Sequence, residues 1–147
     1  MRKQKSSRIV ILVLMMGIMM TAGGELAADD HYNYLAPDAA KGMINSGEAM
    51  VLLDIQVKNE YDRHHIKGSV PTYAYPVKSA EERARIDEII PDLATTTDPV
   101  VIICPRGGGG ARRTFEYLAS RGIAYERMFI LENGQSGWPY SELIESN

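Results

Sequence analysis

Cys104 is the one cysteine of the chain, and its neighbours are suited to reactive sulfur. Four aliphatic residues, Val100-Val101-Ile102-Ile103, lead into it, and Pro105-Arg106 and the four glycines Gly107-Gly108-Gly109-Gly110 follow it. A thiol is a nucleophile as its thiolate, which is an anion, so the residues around it must tolerate negative charge. Glycines can take φ above zero, which lets successive N–H groups converge on one point as an anion-binding nest. The helix expected from Ala111 onward adds free N–H groups and the positive end of a dipole. A side chain at the first position of such a loop points into the nest. The guanidinium of Arg106, Arg112 or Arg113 would favour the charged sulfur further. Arg106 lies in the loop itself, whereas Arg112 and Arg113 sit side by side on the first helical turn and only one can face it. The candidate set is therefore Cys104 as nucleophile, with Pro105, Arg106, Gly107, Gly108, Gly109, Gly110, Ala111 and Arg112 as the cradle.

Other readings of these residues are weaker. A buried structural cysteine before a plain turn needs one or two glycines, and each extra one costs about 0.5–1 kcal/mol relative to alanine in regular structure. A nucleotide phosphate loop requires Gly-Lys followed by Ser or Thr, and here Ala111-Arg112 follows Gly110. One cysteine builds no zinc or haem framework, and His31 and His64 have no partners at metal-ligand spacing. No metal or cofactor is expected.

The elements that would position Cys104 follow from periodicity. Residues 100–103 read as a central strand, apolar throughout. Residues 111–120 read as an amphipathic helix with Phe115, Leu118 and Ala119 inward, closed by Gly122. Upstream, Pro37 opens a helix over residues 38–45 that ends at Ser46-Gly47, and residues 49–55 form a second buried strand. One helical turn is expected over 59–64, a short strand over 70–77 between Pro71 and Pro76, and a helix over 80–90 stopped by Pro91. Residues 92–99 read as a loop, 127–131 as a strand and 133–136 as a turn, while residues 29–36 read as a polar approach. Strands alternating with helices predict an α/β domain around a mainly parallel sheet, whose carboxyl edge is where such folds bind ligands.

Composition sets the outer limits. A chain of 147 residues, 45% apolar and 24% charged, makes one globular core. Arg2, Lys3, Lys5 and Arg8 precede an uncharged stretch at residues 9–24 that is short for a spanning helix. This reads as a signal peptide over residues 1–24, cut after 24 or after 28, leaving a domain over 29–147. An uncleaved membrane anchor is the alternative. Cleavage removes four cations and no acid, moving the net charge from −3 to −7. So acidic a domain is a poor partner for nucleic acid or anionic lipid. The expected destination is outside the cytoplasm, in the periplasm, with no membrane contact after cleavage.

Four further segments, with the Cys104 loop, carry a family resemblance. Leu52-Leu53-Asp54-Ile55-Gln56, then Glu60-Tyr61, then His65-Ile66-Lys67-Gly68-Ser69 resemble the first signature of the rhodanese family: an Asp-x-Arg strand end, a Glu, and a His-Ile-x-Gly-Ala turn. Cys104 and its loop resemble that family's catalytic loop, and Gly134-Gln135-Ser136-Gly137-Trp138 resembles its closing signature. The likeness spans residues 32–145. It implies a rhodanese-like three-layer α/β domain with a central, mainly parallel five-stranded sheet flanked by helices. It also implies sulfane-sulfur transfer through a Cys104 persulfide, with a small sulfur anion as donor and a thiol or partner protein as acceptor. A non-catalytic anion-binding or sensing domain is the alternative. Departures from the family pattern are Gln56 in place of Arg, His64 in place of Gly, and a catalytic loop longer by one residue. The longer loop resembles the phosphatases and arsenate reductases of this fold. Those carry an Arg six positions after the cysteine, where this chain has Gly110, so phosphatase or oxyanion-reductase activity is the lesser expectation. Asp54, Glu60 and His65 are expected to fix the turn beside their strand, and Trp138 to anchor the core.

Overall fold

The computed structural model describes residues 31–147; the leader-like segment over residues 1–24 lies outside them. Among the described residues no helix is long and apolar enough to cross a membrane. The elements run β1 (Tyr34–Leu35), α1 (Pro37–Ser46), β2 (Val51–Asp54), α2 (Lys58–Arg63), β3 (His65–Ile66) and β4 (Val70–Pro71). They continue with α3 (Ala80–Asp87), α4 (Ile90–Ala94), β5 (Val100–Ile103), α5 (Gly109–Ser120), β6 (Met128–Leu131) and β7 (Ile144–Glu145). The main sheet has five strands in the order β1-β6-β5-β2-β4, every neighbouring pair parallel. A separate antiparallel pair joins His65 to Glu145 and Ile66 to Ile144.

Side chains alternate between the faces of a strand, and β5 sorts its residues accordingly. Val100 and Ile102 pack with Ile86 of α3, Leu93 of α4, and Phe115 and Leu118 of α5. Val101 and Ile103 pack with Ala40 of α1, Ile66 and Trp138 on the opposite face. All four β5 residues are fully buried, and each such aliphatic side chain contributes about 1.5–3 kcal/mol by leaving water. The domain is thus three layers, helix–sheet–helix. The same alternation carries one step past the strand: Cys104 follows Ile102 onto the face covered by α5.

Several elements differ from expectation. The polar approach contains an edge strand, Tyr34 pairing with Ile130 and Leu35 with Leu131. The strand expected over 70–77 stops at Pro71, because Tyr73 and Val77 take positive φ (55° and 62°), which no strand accommodates. Pro91 does not end the 80–90 helix. That helix finishes at Asp87, and Pro91 sits in the first turn of α4, where its missing N–H costs nothing. The loop expected from residue 92 therefore begins as helix. Helix α5 starts two residues early, so Gly109 and Gly110 belong to the helix and the loop after Cys104 ends at Gly108.

Candidate functional site

The site forms where β5 stops and the chain must turn to enter α5. Gly107, at φ +69°, makes that turn, and its N–H donates to Cys104 Sγ at 3.0 Å. Gly108 then caps the helix. The Arg112 N–H is the one that bonds back to the Gly108 carbonyl, at 3.2 Å. The amides before it, from Gly108 to Ala111, have no acceptor within the helix, as at any helix start. The four glycines therefore do not form the expected run of positive φ. Only Gly107 takes it; Gly109 and Gly110 are helical, and the free amides of the first turn replace the nest.

A cavity of about 90 Å³ lies at this helix start, lined by Tyr75, Cys104, Arg106, Gly108, Gly109 and Gly110. Cys104 itself is 1% exposed. Pro105 and Arg106 also line a neighbouring pocket of about 380 Å³, with Gln56, Glu60, Arg63, His64, Gln135 and Ser136. Ala111 is buried in the core and adds to the site only through its backbone. Arg112 lies over the Tyr32 ring, 6.0 Å from its centroid, and does not line the cavity. Arg113 instead folds back along the first turn. Its Nε donates to the Pro76 carbonyl at 2.9 Å, and one guanidinium nitrogen stands 3.0 Å from where a Gly109 Cβ would be.

A second turn braces the loop from behind. The Gln135 N–H donates to the Cys104 carbonyl at 2.8 Å and the Ser136 N–H to the Pro105 carbonyl at 3.0 Å. Gly134, at φ +57°, lies so close that an added Cβ would sit 2.1 Å from the Cys104 carbonyl oxygen and 2.5 Å from the Gly107 nitrogen. The loop and the closing turn thus meet backbone against backbone. Tyr75 was not visible in the sequence pattern as a site residue, because it reaches the cavity across the fold from a segment that reads as strand.

Beside the loop, at the end of β2, Asp54 is fully buried and accepts from the Gln56 N–H at 2.8 Å and from Gln56 Nε2 at 3.0 Å. Burial pushes its carboxyl up to about 6, against the pull of those two bonds. His65 stacks on Tyr61, ring centroids 3.8 Å apart, and its Nδ1 bonds the Tyr61 carbonyl at 2.7 Å. Both fix the turn. Gln135 Nε2 donates to His64 Nδ1 at 2.9 Å, and Gln56 Nε2 to the His64 carbonyl at 3.3 Å. The two departures from the family pattern, Gln56 and His64, therefore contact one another. Trp138 packs in the α1-side core, with its indole N–H on the Tyr140 carbonyl.

Comparison with protein-family models matches residues 36–140 to the rhodanese-like domain. No curated protein matches the sequence. Among solved structures, the chain is similar to a thiosulfate sulfurtransferase from Pseudomonas aeruginosa, with 21% identity and a TM-score of 0.61. That match covers 79% of this chain and 20% of the other, so the chain spans about a fifth of that relative's length. It is also similar to an As–Sb reductase from Leishmania major, with 12% identity, a TM-score of 0.64, and 78% and 86% coverage. A third is a yeast protein tyrosine phosphatase of the rhodanese family, with 17% identity, a TM-score of 0.56, and 78% and 91% coverage. At these identities the likeness is one of fold.

Proposed function

The chain belongs to the rhodanese-like family, and we propose that within it the protein is a sulfurtransferase or sulfane-sulfur carrier that works through a Cys104 persulfide. The observation that carries this reading is the Gly107 N–H directed at Cys104 Sγ, 3.0 Å away, beneath the open first turn of α5. Thiolate and persulfide are both anions, and amides fixed before the reaction stabilise developing charge without having to reorganise.

In the first step the Cys104 thiolate attacks the outer sulfur of a donor such as thiosulfate. The new S–S bond forms as the donor's own S–S bond breaks, and sulfite leaves with the electron pair. The terminal sulfur of the persulfide then carries the negative charge, within reach of the amides of residues 108–111. In the second step an external thiolate attacks that sulfur, becomes a persulfide itself, and releases the Cys104 thiolate; cyanide would leave as thiocyanate. The acceptor, whether small molecule or partner protein, comes from outside because the chain has no second cysteine. Phosphate-ester or arsenate chemistry is the weaker reading, since Gly110 stands where an oxyanion-clamping arginine would be needed. The proposal includes an exported, periplasmic location, supported by the cationic start and uncharged stretch of residues 1–24.

Intact-mass measurement after incubation with thiosulfate tests the function. The wild type is expected to gain one sulfur atom and Cys104→Ser none. A wild type that gains nothing from thiosulfate or from a polysulfide overturns the reading, and leaves a non-catalytic binding domain, which the near-complete burial of the sulfur would suit.

A further inference from the structure

We infer that Tyr75 sets which molecules reach Cys104: its ring is the wall that admits a small donor and shuts out a bulky one. The inference rests on Cys104 being the reactive group of the proposed function. Of the residues lining the 90 Å³ cavity, all but Tyr75 belong to the single segment 104–110. Tyr75 is therefore the wall supplied from a distant segment, and its ring is the aromatic side chain among the lining residues. At about 30 Å³ per water, this partly open space has room for about three waters, which suits the sulfur end of a small anion.

The ring is seated on purpose-built ground. A Cβ on Gly110 would stand 2.8 Å from both Cδ2 and Cε2 of Tyr75, so the ring lies flush on the helix only because residue 110 has no side chain. The segment that carries it is tied down on both sides. The Tyr75 N–H donates to the Ile55 carbonyl at 2.8 Å, and Arg113 of α5 holds the next carbonyl, that of Pro76. Tyr73 and the β-branched Val77 flank it at positive φ, a backbone state that persists only where the surroundings impose it. Beyond the ring lies a groove of about 600 Å³, which Tyr75 lines together with Val57, Lys58, Tyr73, Ser79 and Arg85. One ring thus separates a wide groove from a small chamber holding the sulfur.

The test compares two thiol reagents on the full chain. Iodoacetamide is small; the Cys104 thiolate forms an S–C bond and iodide leaves. An aromatic disulfide is bulky; the thiolate takes one sulfur and an aryl thiolate leaves, which is read by its colour. Tyr75→Ala is expected to raise the ratio of the bulky to the small rate by about tenfold or more, the discrimination a pocket achieves against a group that does not fit. Tyr75→Phe is expected to keep the wild-type ratio, and Tyr75→Leu, a second opening should the alanine variant fail to fold, to fall between. An unchanged ratio in Ala and Leu, or a rise in Phe equal to theirs, overturns the wall. Neither rate requires sulfur transfer. A ratio change in a protein that takes no sulfur from thiosulfate sinks the proposed function and leaves the wall standing; normal persulfide formation with an unchanged ratio sinks the wall alone.

Discussion

Strands β2 and β5 lie side by side, Asp54 in register with Ile103, and each brings a potential anion to the same edge of the sheet. Asp54 is 0% exposed and Cys104 is 1% exposed, so burial does not separate them. What separates them is the state of the donors around them. Both Asp54 oxygens are engaged by Gln56, and Asp54 lines none of the three cavities described above. Burial, only partly offset by those two bonds, pushes its carboxyl up to about 6, and the group serves the turn it holds. Cys104 has one N–H on its sulfur, further amides free at the helix start, and a chamber beside it. On the proposed function, what would make one of these two buried strand ends reactive is donors without partners together with space for a second molecule.

The contrast is broken most severely by removing the brace that keeps those donors in place. Gly134 combines φ +57° and ψ −154° with backbone packed on Cys104 and Gly107, so Gly134→Ala meets both strain and collision. A loss of about 3–5 kcal/mol in urea unfolding is expected, at the upper end for single substitutions, together with slower sulfur uptake by whatever folded protein remains. Gly47→Ala is the control. It has the same sign of φ, +70°, but open space around it, and its expected loss is about 1–2 kcal/mol. Equal losses in the two would show that the closing turn does not brace the loop.

The Asp54 side of the contrast is smaller and depends on pH. Its carboxyl in the folded protein sits above the ordinary 3.8, so the native state keeps a proton that the unfolded chain has released. Stability from this group is therefore greatest below about pH 4, falls as pH rises through about 6, and is lower above that by an amount on the order of 3 kcal/mol. Asp54→Asn removes the titration. Relative to wild type, the variant should gain stability between about pH 4 and pH 7.5, by less than the full amount because one acceptor is lost. Urea midpoints at the two pH values measure it, and a difference that does not change with pH refutes the assignment to Asp54.

The part of the site that lies in one stretch of chain could be read from the sequence. Four aliphatic residues, a cysteine, glycines and an amphipathic segment predict strand, thiol, turn and helix through local rules alone; β5 appears where those rules put it, and α5 starts two residues sooner. What escaped depends on contact across the fold. Tyr75 on Gly110 and Gly134 on the Cys104 carbonyl are close approaches between distant segments, and neither leaves a periodic pattern. The glycine run read as one device, yet it serves three: a positive φ at Gly107, a cap at Gly108 and a seat for a ring at Gly110. The two-residue strands β1, β3 and β7 exist through their partners rather than their propensities. Whether Arg112 or Arg113 faces the mouth depended on a helical phase that adjacent positions do not specify.

The finest adjustment returns to Gln56, which stands where the family pattern has an arginine. Its Nε2 already reaches Asp54 Oδ2 and the His64 carbonyl, so a guanidinium placed there would have the same two acceptors. An arginine beside the carboxylate favours the ionised form, which lowers the Asp54 carboxyl toward its ordinary range. Gln56→Arg should therefore flatten the fall in stability between about pH 4 and pH 7.5 from the opposite direction to Asp54→Asn, by pairing the charge rather than deleting it. The gain at the higher pH should be about 1 kcal/mol, since Gln56 is 4% exposed and burying a guanidinium offsets much of the attraction. A slope that survives in Gln56→Arg but vanishes in Asp54→Asn would mean the guanidinium turns toward the neighbouring pocket instead. A slope lost in both would mean that the two strand ends differ in the supply of donors, and that supply can be changed by one residue.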